Sequence, residues 1–352
     1  MSKDALLVRR AGLQTTVQDL GRPGYGRYGV PLSGAMDTES LRLGNMLLDN
    51  PAHTAALEMT LVGPELEALG SLDCAYTGAD MNLTVQGRRI QTGRTFGVHE
   101  GDVLRFGAAR VGARACLCLR GGVDVEPVLG SRSTAVTAHL GGLEGRPLLG
   151  GDIIRVLEPP AGTVPLVRVL PRSLLRYYGP ETKLRLVEGP QGAEMRGALE
   201  LLLASTWTVS GRSNRVGVRL DGPLLPMRPR AWRTEGVPIG AVQVPADGAP
   251  ILLLADRQTT GGYPKPAVIA AVDLPAAGQL RPGDRVTFTM VTAEVATDLL
   301  RDREALLRSA HPDGGSAGAI ATTIAALEAS AITELEIRRS ALAFKWQRPK
   351  LD

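Results

Sequence analysis

Three segments far apart in the chain carry one pattern. VHEGDVLRF (Val98 to Phe106), LLGGDIIRV (Leu148 to Val156) and LRPGDRVTF (Leu280 to Phe288) each place Gly-Asp in a turn immediately before an apolar strand. Glycine supplies a turn position with φ > 0, and aspartate bonds the neighbouring backbone. A chain that keeps making this turn is built from short strands joined tightly. The other apolar runs agree: DCAYTG, MNLTV, ARACLCL, KLRLV, TWTVS, ILLLA and AVIAAV are short and are punctuated by Gly, Pro, Asp and Asn. That spacing predicts barrels or sandwiches rather than a βαβ array, and the repetition suggests related β-units.

The chain has 352 residues, more than one core of roughly 100–200 residues accounts for, so two domains are expected. We place a first β-barrel region at 1–165, a second at 166–292 and a helical C-terminal tail at 293–352. The expected class is mainly β (α+β) with a few helices. Asp37 precedes TESLRLGNMLLDN, which reads as a capped helix stopped at Asn50-Pro51, and AEMRGALELLLAS is a second helix. In the tail, AEVATDLLRDREALLRSA and AIATTIAALEASAITELEIRRSALAFKW are helical patterns joined by the linker HPDGGSAG. The expected role of the tail is to pack against the barrels or against a neighbouring protein chain.

Charge narrows the function. Forty basic residues face thirty-six acidic ones, and only five of the basic ones are lysine. A net charge of +4 without a clustered basic stripe is no nucleic-acid footprint. No apolar run approaches 18 residues and no leader pattern opens the chain, so no membrane partner and a cytoplasmic location are expected. Cys74, Cys116 and Cys118 are too few for a disulfide framework, and Cys116 and Cys118 read as small core residues on one face of a strand. No Cys/His quartet has metal-ligand spacing, so no metal site is assigned. The four histidines are scattered and read as structural or surface residues.

Gly24-Tyr-Gly26-Arg-Tyr-Gly29 matches the G-x-G-x-x-G phosphate fingerprint, but Pro23 precedes it and Val30-Pro31 follows. That motif works where a strand turns directly into a helix, and these prolines forbid it. What remains are two dense polar segments: Thr15 to Asp37, TTVQDLGRPGYGRYGVPLSGAMD, and Asp256 to Lys265, DRQTTGGYPK, preceded by TEGVPIGAVQVPADG from Thr234. Both mix acid, base, amide and hydroxyl groups with glycines, the composition of a site gripping a polar, charged small molecule.

These segments also carry a resemblance. Together with VLGSRST, SNRVGVRLDGP and GQLRPGDRV they resemble the KipA or allophanate-hydrolase-subunit-2 family, in register from about Ala5 to about Thr292. That family includes the C subunits of bacterial 5-oxoprolinases and is similar to the carboxyltransferase domain of urea carboxylases. The resemblance implies cyclophilin-like β-barrels, a KipI-like protein as partner and, for the oxoprolinase, a LamB/YcsF-like protein as a second partner. Covalently attached biotin is not expected, because Ala35-Met36 is followed by aspartate rather than lysine. The reaction implied is the ATP-dependent opening of the 5-oxoproline lactam to glutamate, with ATP and magnesium bound on this chain or at its interface with the KipI-like partner.

A lactam carbonyl is a poor electrophile, so such a site needs cations, a proton carrier and donors that hold the amide. Side-chain chemistry assigns Arg257 and Lys265 to phosphate or carboxylate contacts and Asp256 to proton transfer or magnesium. Gln258, Thr259 and Thr260 would position the amide; Gly261 and Gly262 allow close backbone approach, and Tyr263 completes the stretch. Gln18, Asp19 and Arg22 would complete the cleft, with Arg215, Glu235 and Gln243 as further substrate contacts. Other readings stand beside these. Asp256 and Arg257 can pair with each other or with Arg215 and Glu235 as a structural network; Asp19 and Arg22 can be surface turn chemistry; Tyr25 and Tyr28 can wall the cleft or meet a partner; and Asp37 caps its helix. At the level of function, a KipA-like regulator that binds a KipI-type kinase inhibitor stands beside the enzyme. So does a carboxyltransferase-like protein that works on urea or another amide with a separate biotin carrier. Association into a homo-oligomer also stays open.

Overall fold

The computed structural model describes residues 2–158, 167–227 and 231–309. The described residues fall within one compact unit. The expected mainly β architecture is what the chain adopts. Residues 2–157 make two antiparallel sheets. The six-stranded sheet runs, in spatial order, Ile153–Leu157, Ser2–Arg10, Glu65–Ala68, Val103–Arg105, Thr84–Val85 and Arg88–Arg89. The five-stranded sheet runs Gln14–Gln18, Ala56–Thr60, Val111–Leu119, Leu72–Asp80 and Arg94–Val98. Both sheets contribute to one apolar cluster, with Leu6, Val8 and Leu66 from the first and Leu57, Met59, Tyr76 and Leu117 from the second.

The five-stranded sheet is covered on both faces, and its strands show why by their period of two. Along Val111–Leu119, Ala115, Leu117 and Leu119 face the other sheet, while Cys116 and Cys118 face α1 (Thr38–Leu47). The small thiols make room for the helix: a Cβ on Gly44 of α1 would lie 2.5 Å from Cys118 Sγ. All three cysteines are free and buried, and burial pushes each thiol up from its ordinary value. The α1 start is fixed by Asp37, whose carboxylate accepts from Ser40 N–H at 2.9 Å. The G-x-G-x-x-G segment forms only a single 3₁₀ turn, Gly26–Tyr28, and α1 begins ten residues after Tyr28, at Thr38.

Residues 181–290 close into a seven-stranded barrel in the order Glu181–Glu188, Ala267–Ile269, Ala241–Gln243, Ile251–Leu253, Gly217–Asp221, Trp207–Val209 and Arg285–Met290. The last strand returns to the first through a parallel pair, Glu181 with Arg285 through Leu186 with Met290. Its interior holds Leu184, Leu186, Trp207, Val242, Leu252 and Val286, with α2 (Arg196–Ala204) contributing Ala198 and Leu202. After the short helix α3 (Leu274–Ala277), Gln279 reaches back to the first region. Its Oε1 accepts from Ala113 and Arg114 N–H, both at 2.9 Å, and its Nε2 donates to Asp37 at 2.6 Å.

The three Gly-Asp turns are copies in atomic detail. Gly101, Gly151 and Gly283 have φ of 82°, 95° and 90°. Each following aspartate accepts from the N–H three residues before it: His99 to Asp102 at 2.8 Å, Leu149 to Asp152 at 2.7 Å and Arg281 to Asp284 at 2.9 Å. The carboxylate therefore closes the turn behind it, and glycine takes the left-handed position because it has no Cβ to strain there. Two copies lie in the first region and one in the barrel.

Helix α4 (Ala293–Ser309) is the described part of the tail; its Ala296 packs with Ala270 and Val272, its Leu307 joins the cluster beneath α1, and ion pairs link it to α1. Arg42 grips Glu304 with two bonds of 2.6 and 2.7 Å, while Glu39 is held by Arg176 and by Arg303. Burial alone would raise the Glu39 carboxyl, but the two guanidinium groups bring it below its ordinary 4.5. A depressed carboxyl stabilises the fold fully above its unfolded value and loses that contribution as pH falls through the folded one. Because both arginines keep some contact with water, Glu39→Gln should cost about 1.5–3 kcal/mol at pH 7 in a urea unfolding titration. The deficit should shrink as pH is lowered below that ordinary value; a pH-independent deficit would contradict the assignment. The linker and second helical pattern of the tail fall outside the described residues.

Candidate active site

The two polar segments meet although they are more than 200 residues apart. Ser33 has φ of 55° and lies in a turn where the chain crosses itself: a Cβ on Gly34 would be 2.8 Å from Gly21 N. The crossing delivers Ser33 Oγ to within 2.9 Å of Asp256 Oδ1 and 2.8 Å of Thr134 O. Behind Asp256 stands Arg215, 3% exposed, donating from Nε to Asp256 Oδ2 at 2.8 Å and from Nη2 to Gly34 O at 2.6 Å. Its Nη1 donates to Glu58, whose other oxygen accepts from Met36 N–H at 2.7 Å. Arg215 thus ties the barrel to the five-stranded sheet and to the first polar segment at once.

Glu58 lies on the helix-facing side of that sheet, beside Cys116 on one neighbouring strand and Thr16 on the other. Burial pushes its carboxyl up, against the pull of Arg215 and Arg114. Arg114, on the same strand face as Cys116, is lowered to about 10 by burial. Burial alone would also lower Arg215, but Asp256 and Glu58 raise it. A network of this kind contributes little net stability, yet each member depends on the others because an unpaired buried charge is costly.

Asp19 and Arg22 turn inward. Asp19, 7% exposed, accepts from Gly21 N–H, Ser131 Oγ, Arg132 N–H and Ser133 Oγ, so it clamps the SRS of VLGSRST. Arg22 donates to Ser133 O and is lowered by burial, with Asp19 and Asp256 opposing. Gln18 donates to Thr134 O at 3.0 Å, the same carbonyl that Ser33 approaches. Gln18 Oε1 and Arg22 Nη1 are buried without a protein partner.

The remaining candidates gather on and beside a small ribbon, Glu235–Gly236 paired with Thr260–Gly261. Lys265 is fully buried and its Nζ pairs with Glu235 at 2.9 Å and with Tyr263 O at 3.2 Å. Gln258 Nε2 donates to Gln243 Oε1 at 3.1 Å. Arg257 donates to Val237 O at 2.8 Å, and Thr259 O accepts from Val237 N–H at 3.0 Å, which extends the pairing of the ribbon's two segments. Gly262 follows the ribbon, and Tyr263 is half exposed.

The predicted residues therefore form two groups joined through Asp256-Arg257: a buried ionic knot of Gln18, Asp19, Arg22, Arg215 and Asp256, and an accessible polar ribbon running from Glu235 to Lys265. Sequence reasoning missed Glu58, Ser33 and Gln191, whose amide accepts from Lys265 N–H and donates to Glu235, both at 2.8 Å. A lone acid inside the apolar run AALEMT was the available signal for Glu58. Ser33 lies inside the first polar segment, which gives no reason to single it out, and Gln191 lies in a loop that nothing local marks. A separate cavity of about 150 Å³ is lined by Glu39, Ser40, Thr77, Tyr177 and Tyr178 and touches none of the predicted residues. Among the described residues no group of three or more His, Cys, Asp or Glu side chains is placed to hold a metal ion, and no helix is long and apolar enough to cross a membrane.

Comparison with known proteins adds a third line. The profile of the family described as "Carboxyltransferase domain, subdomain A and B" matches residues 28–290. Two curated 5-oxoprolinase C subunits match nearly end to end. That of Escherichia coli is 36% identical over 303 residues, covering 85% of this chain and 95% of that protein. That of Haemophilus influenzae is 33% identical over 305 residues, covering 84% and 94%. Among solved structures, Kluyveromyces lactis urea carboxylase superposes with a TM-score of 0.82 at 32% identity. The match covers 89% of this chain but only 30% of that enzyme.

Proposed function

Because this chain belongs to the family of carboxyltransferase domains with subdomains A and B, we propose that it works as the 5-oxoprolinase C subunits do, as one component of that enzyme. In this reading it acts with a KipI-like partner and a LamB/YcsF-like partner in the cytoplasm, and opens the lactam of 5-oxoproline to L-glutamate as ATP is hydrolysed. The observation that carries the reading is the near end-to-end match to two bacterial 5-oxoprolinase C subunits. The convergence of the two polar segments at Asp256 supports it.

In this reading the residues divide the labour. Asp256 has both oxygens committed, to Arg215 and toward Ser33, so its place is to position the Arg257–Lys265 segment. Lys265 is the cation set behind an accessible ribbon, suited to a carboxylate or phosphate oxygen. Gln243 and Gln258 offer amide groups to a lactam. Magnesium that accompanies ATP needs only one or two protein carboxylates beside the phosphate oxygens, so ATP with magnesium would bind on this chain or at its interface with the KipI-like partner.

Likeness to urea carboxylase supports a second reading, a carboxyltransferase-like protein that works on urea or another amide with a separate biotin carrier. A regulator that binds a KipI-type inhibitor is the third. The deciding experiment co-purifies the chain with its KipI-like and LamB/YcsF-like counterparts and follows glutamate and ADP with 5-oxoproline. Equimolar glutamate and ADP, absent when this chain is omitted, is the expected result. Tight binding of the KipI-like protein with no turnover in any mixture would favour the regulator.

A further inference from the structure

Lys265 and Glu235 form an ion pair whose two halves are held very differently. The Lys265 side chain is 1% exposed and the Glu235 side chain 36%. The lysine sits in a fixed frame. Its N–H donates to Gln191 Oε1 at 2.8 Å, and a Cβ on Gly189 would lie 2.2 Å from its carbonyl oxygen, so the loop carrying Gln191 is packed tightly on the lysine backbone. The glutamate rides on a two-residue strand whose one ladder is with Thr260–Gly261, outside the barrel. Gln191 Nε2 and Lys265 Nζ both donate to the same glutamate oxygen, Oε1, at 2.8 and 2.9 Å.

This asymmetry has a thermodynamic meaning. A buried ammonium needs an anion, and losing it costs several kcal/mol; a carboxylate one-third exposed regains water when it leaves. The position is therefore specified for a carboxylate without being specified for this one. A second group nearby lacks a partner. Gln243 is 3% exposed, its Oε1 accepts from Gln258, and its Nε2 is buried with no acceptor. Gly261, opposite Glu235 on the ribbon, lies over that amide: a Cβ there would be 3.1 Å from Gln243 Nε2 and 3.4 Å from Gln258 Nε2. The same ribbon thus carries the anion that occupies Lys265 and covers an amide donor without an acceptor.

We propose that Glu235 is an internal stand-in for the carboxylate of the substrate. When a small carboxylate that also carries an amide oxygen binds, its carboxylate replaces Glu235 on Lys265 and Gln191. The ribbon shifts as the two anions exchange, and Gln243 Nε2 gains the acceptor it lacks. The inference rests on reading this cluster as the substrate site, and it narrows the ligand to a carboxylate with a second oxygen acceptor.

The test is calorimetric titration of the full chain, wild type against Glu235→Gln, with L-5-oxoproline, with 2-pyrrolidinone, which is the same lactam without the carboxylate, and with glutarate, which has carboxylates and no lactam. Removing an internal competitor raises the fraction of sites open to ligand and lowers the apparent Kd in proportion. E235Q should bind 5-oxoproline about tenfold tighter than wild type, while 2-pyrrolidinone changes by less than about twofold. Adding Lys265→Met to E235Q should abolish the gain. If neither carboxylate binds E235Q more tightly, or 2-pyrrolidinone gains as much, the inference is overturned. Glutarate gaining where 5-oxoproline does not bind would keep the stand-in and remove 5-oxoproline as the substrate.

Discussion

Replacing Arg215 by methionine is expected to cost about 3–5 kcal/mol and to lower the melting temperature by roughly 5–15 °C. The reason is the burial of its partners. Glu58 and Asp256 have side chains only 2% and 1% exposed, so neither carboxylate can turn to water when the guanidinium is removed. Gly34 O loses its donor in the same stroke. Removing the carboxylates as well, in Arg215→Met with Glu58→Gln and Asp256→Asn, should recover a large part of the loss, because a matched set of neutral groups avoids the uncompensated charge. Thermal unfolding of the single and triple variants measures both effects. A single variant that melts with the wild type would show that the network is not what joins the barrel to the five-stranded sheet.

Lys265→Met should behave in the opposite way, leaving the fold nearly intact and removing function. Methionine fills most of the lysine volume, and the stranded Glu235 is exposed enough to hydrate, so the melting temperature should stay within a few degrees. In the reconstituted complex, however, loss of a preorganised cation aimed at the substrate should lower turnover about 100-fold or more. Turnover within twofold of wild type would remove Lys265 from the site. The pair of variants separates two roles that look alike in sequence: a buried cation with buried partners holds the fold, and a buried cation with an exposed partner is available to a ligand.

That distinction explains how much could be read in advance. Strand alternation placed Cys116 and Cys118 on one face of a strand, and it follows from local chemistry, because side chains point to opposite faces with a period of two. The Gly-Asp turns and the Asp37 cap were legible for the same reason: donor and acceptor lie three residues apart. The ionic knot was not. Arg215 meets Glu58 across 157 residues and Ser33 meets Asp256 across 223, and no local pattern encodes which of forty basic groups turns inward. Burial also reverses the meaning of a residue type. Asp19 and Arg22 belong to a Gly/Pro-rich segment that reads as an exposed loop or cleft, yet they are 7% and 1% exposed and hold VLGSRST in place.

The parallel pair that closes the barrel sets the order in which the chain can fold on the ribosome. Glu181–Leu186 finds its parallel neighbour only when Arg285–Met290 has been made, a separation of about a hundred residues, and contacts so distant in sequence slow folding. Until then Trp207, Leu184 and Val242 have no finished interior to enter. The two sheets of residues 2–157 need no such wait, since their strands pair among themselves. The nascent chain should therefore hold a formed first region and an open second one late into synthesis. In that interval the apolar faces of the unfinished barrel are the part of the molecule that a chaperone would recognise.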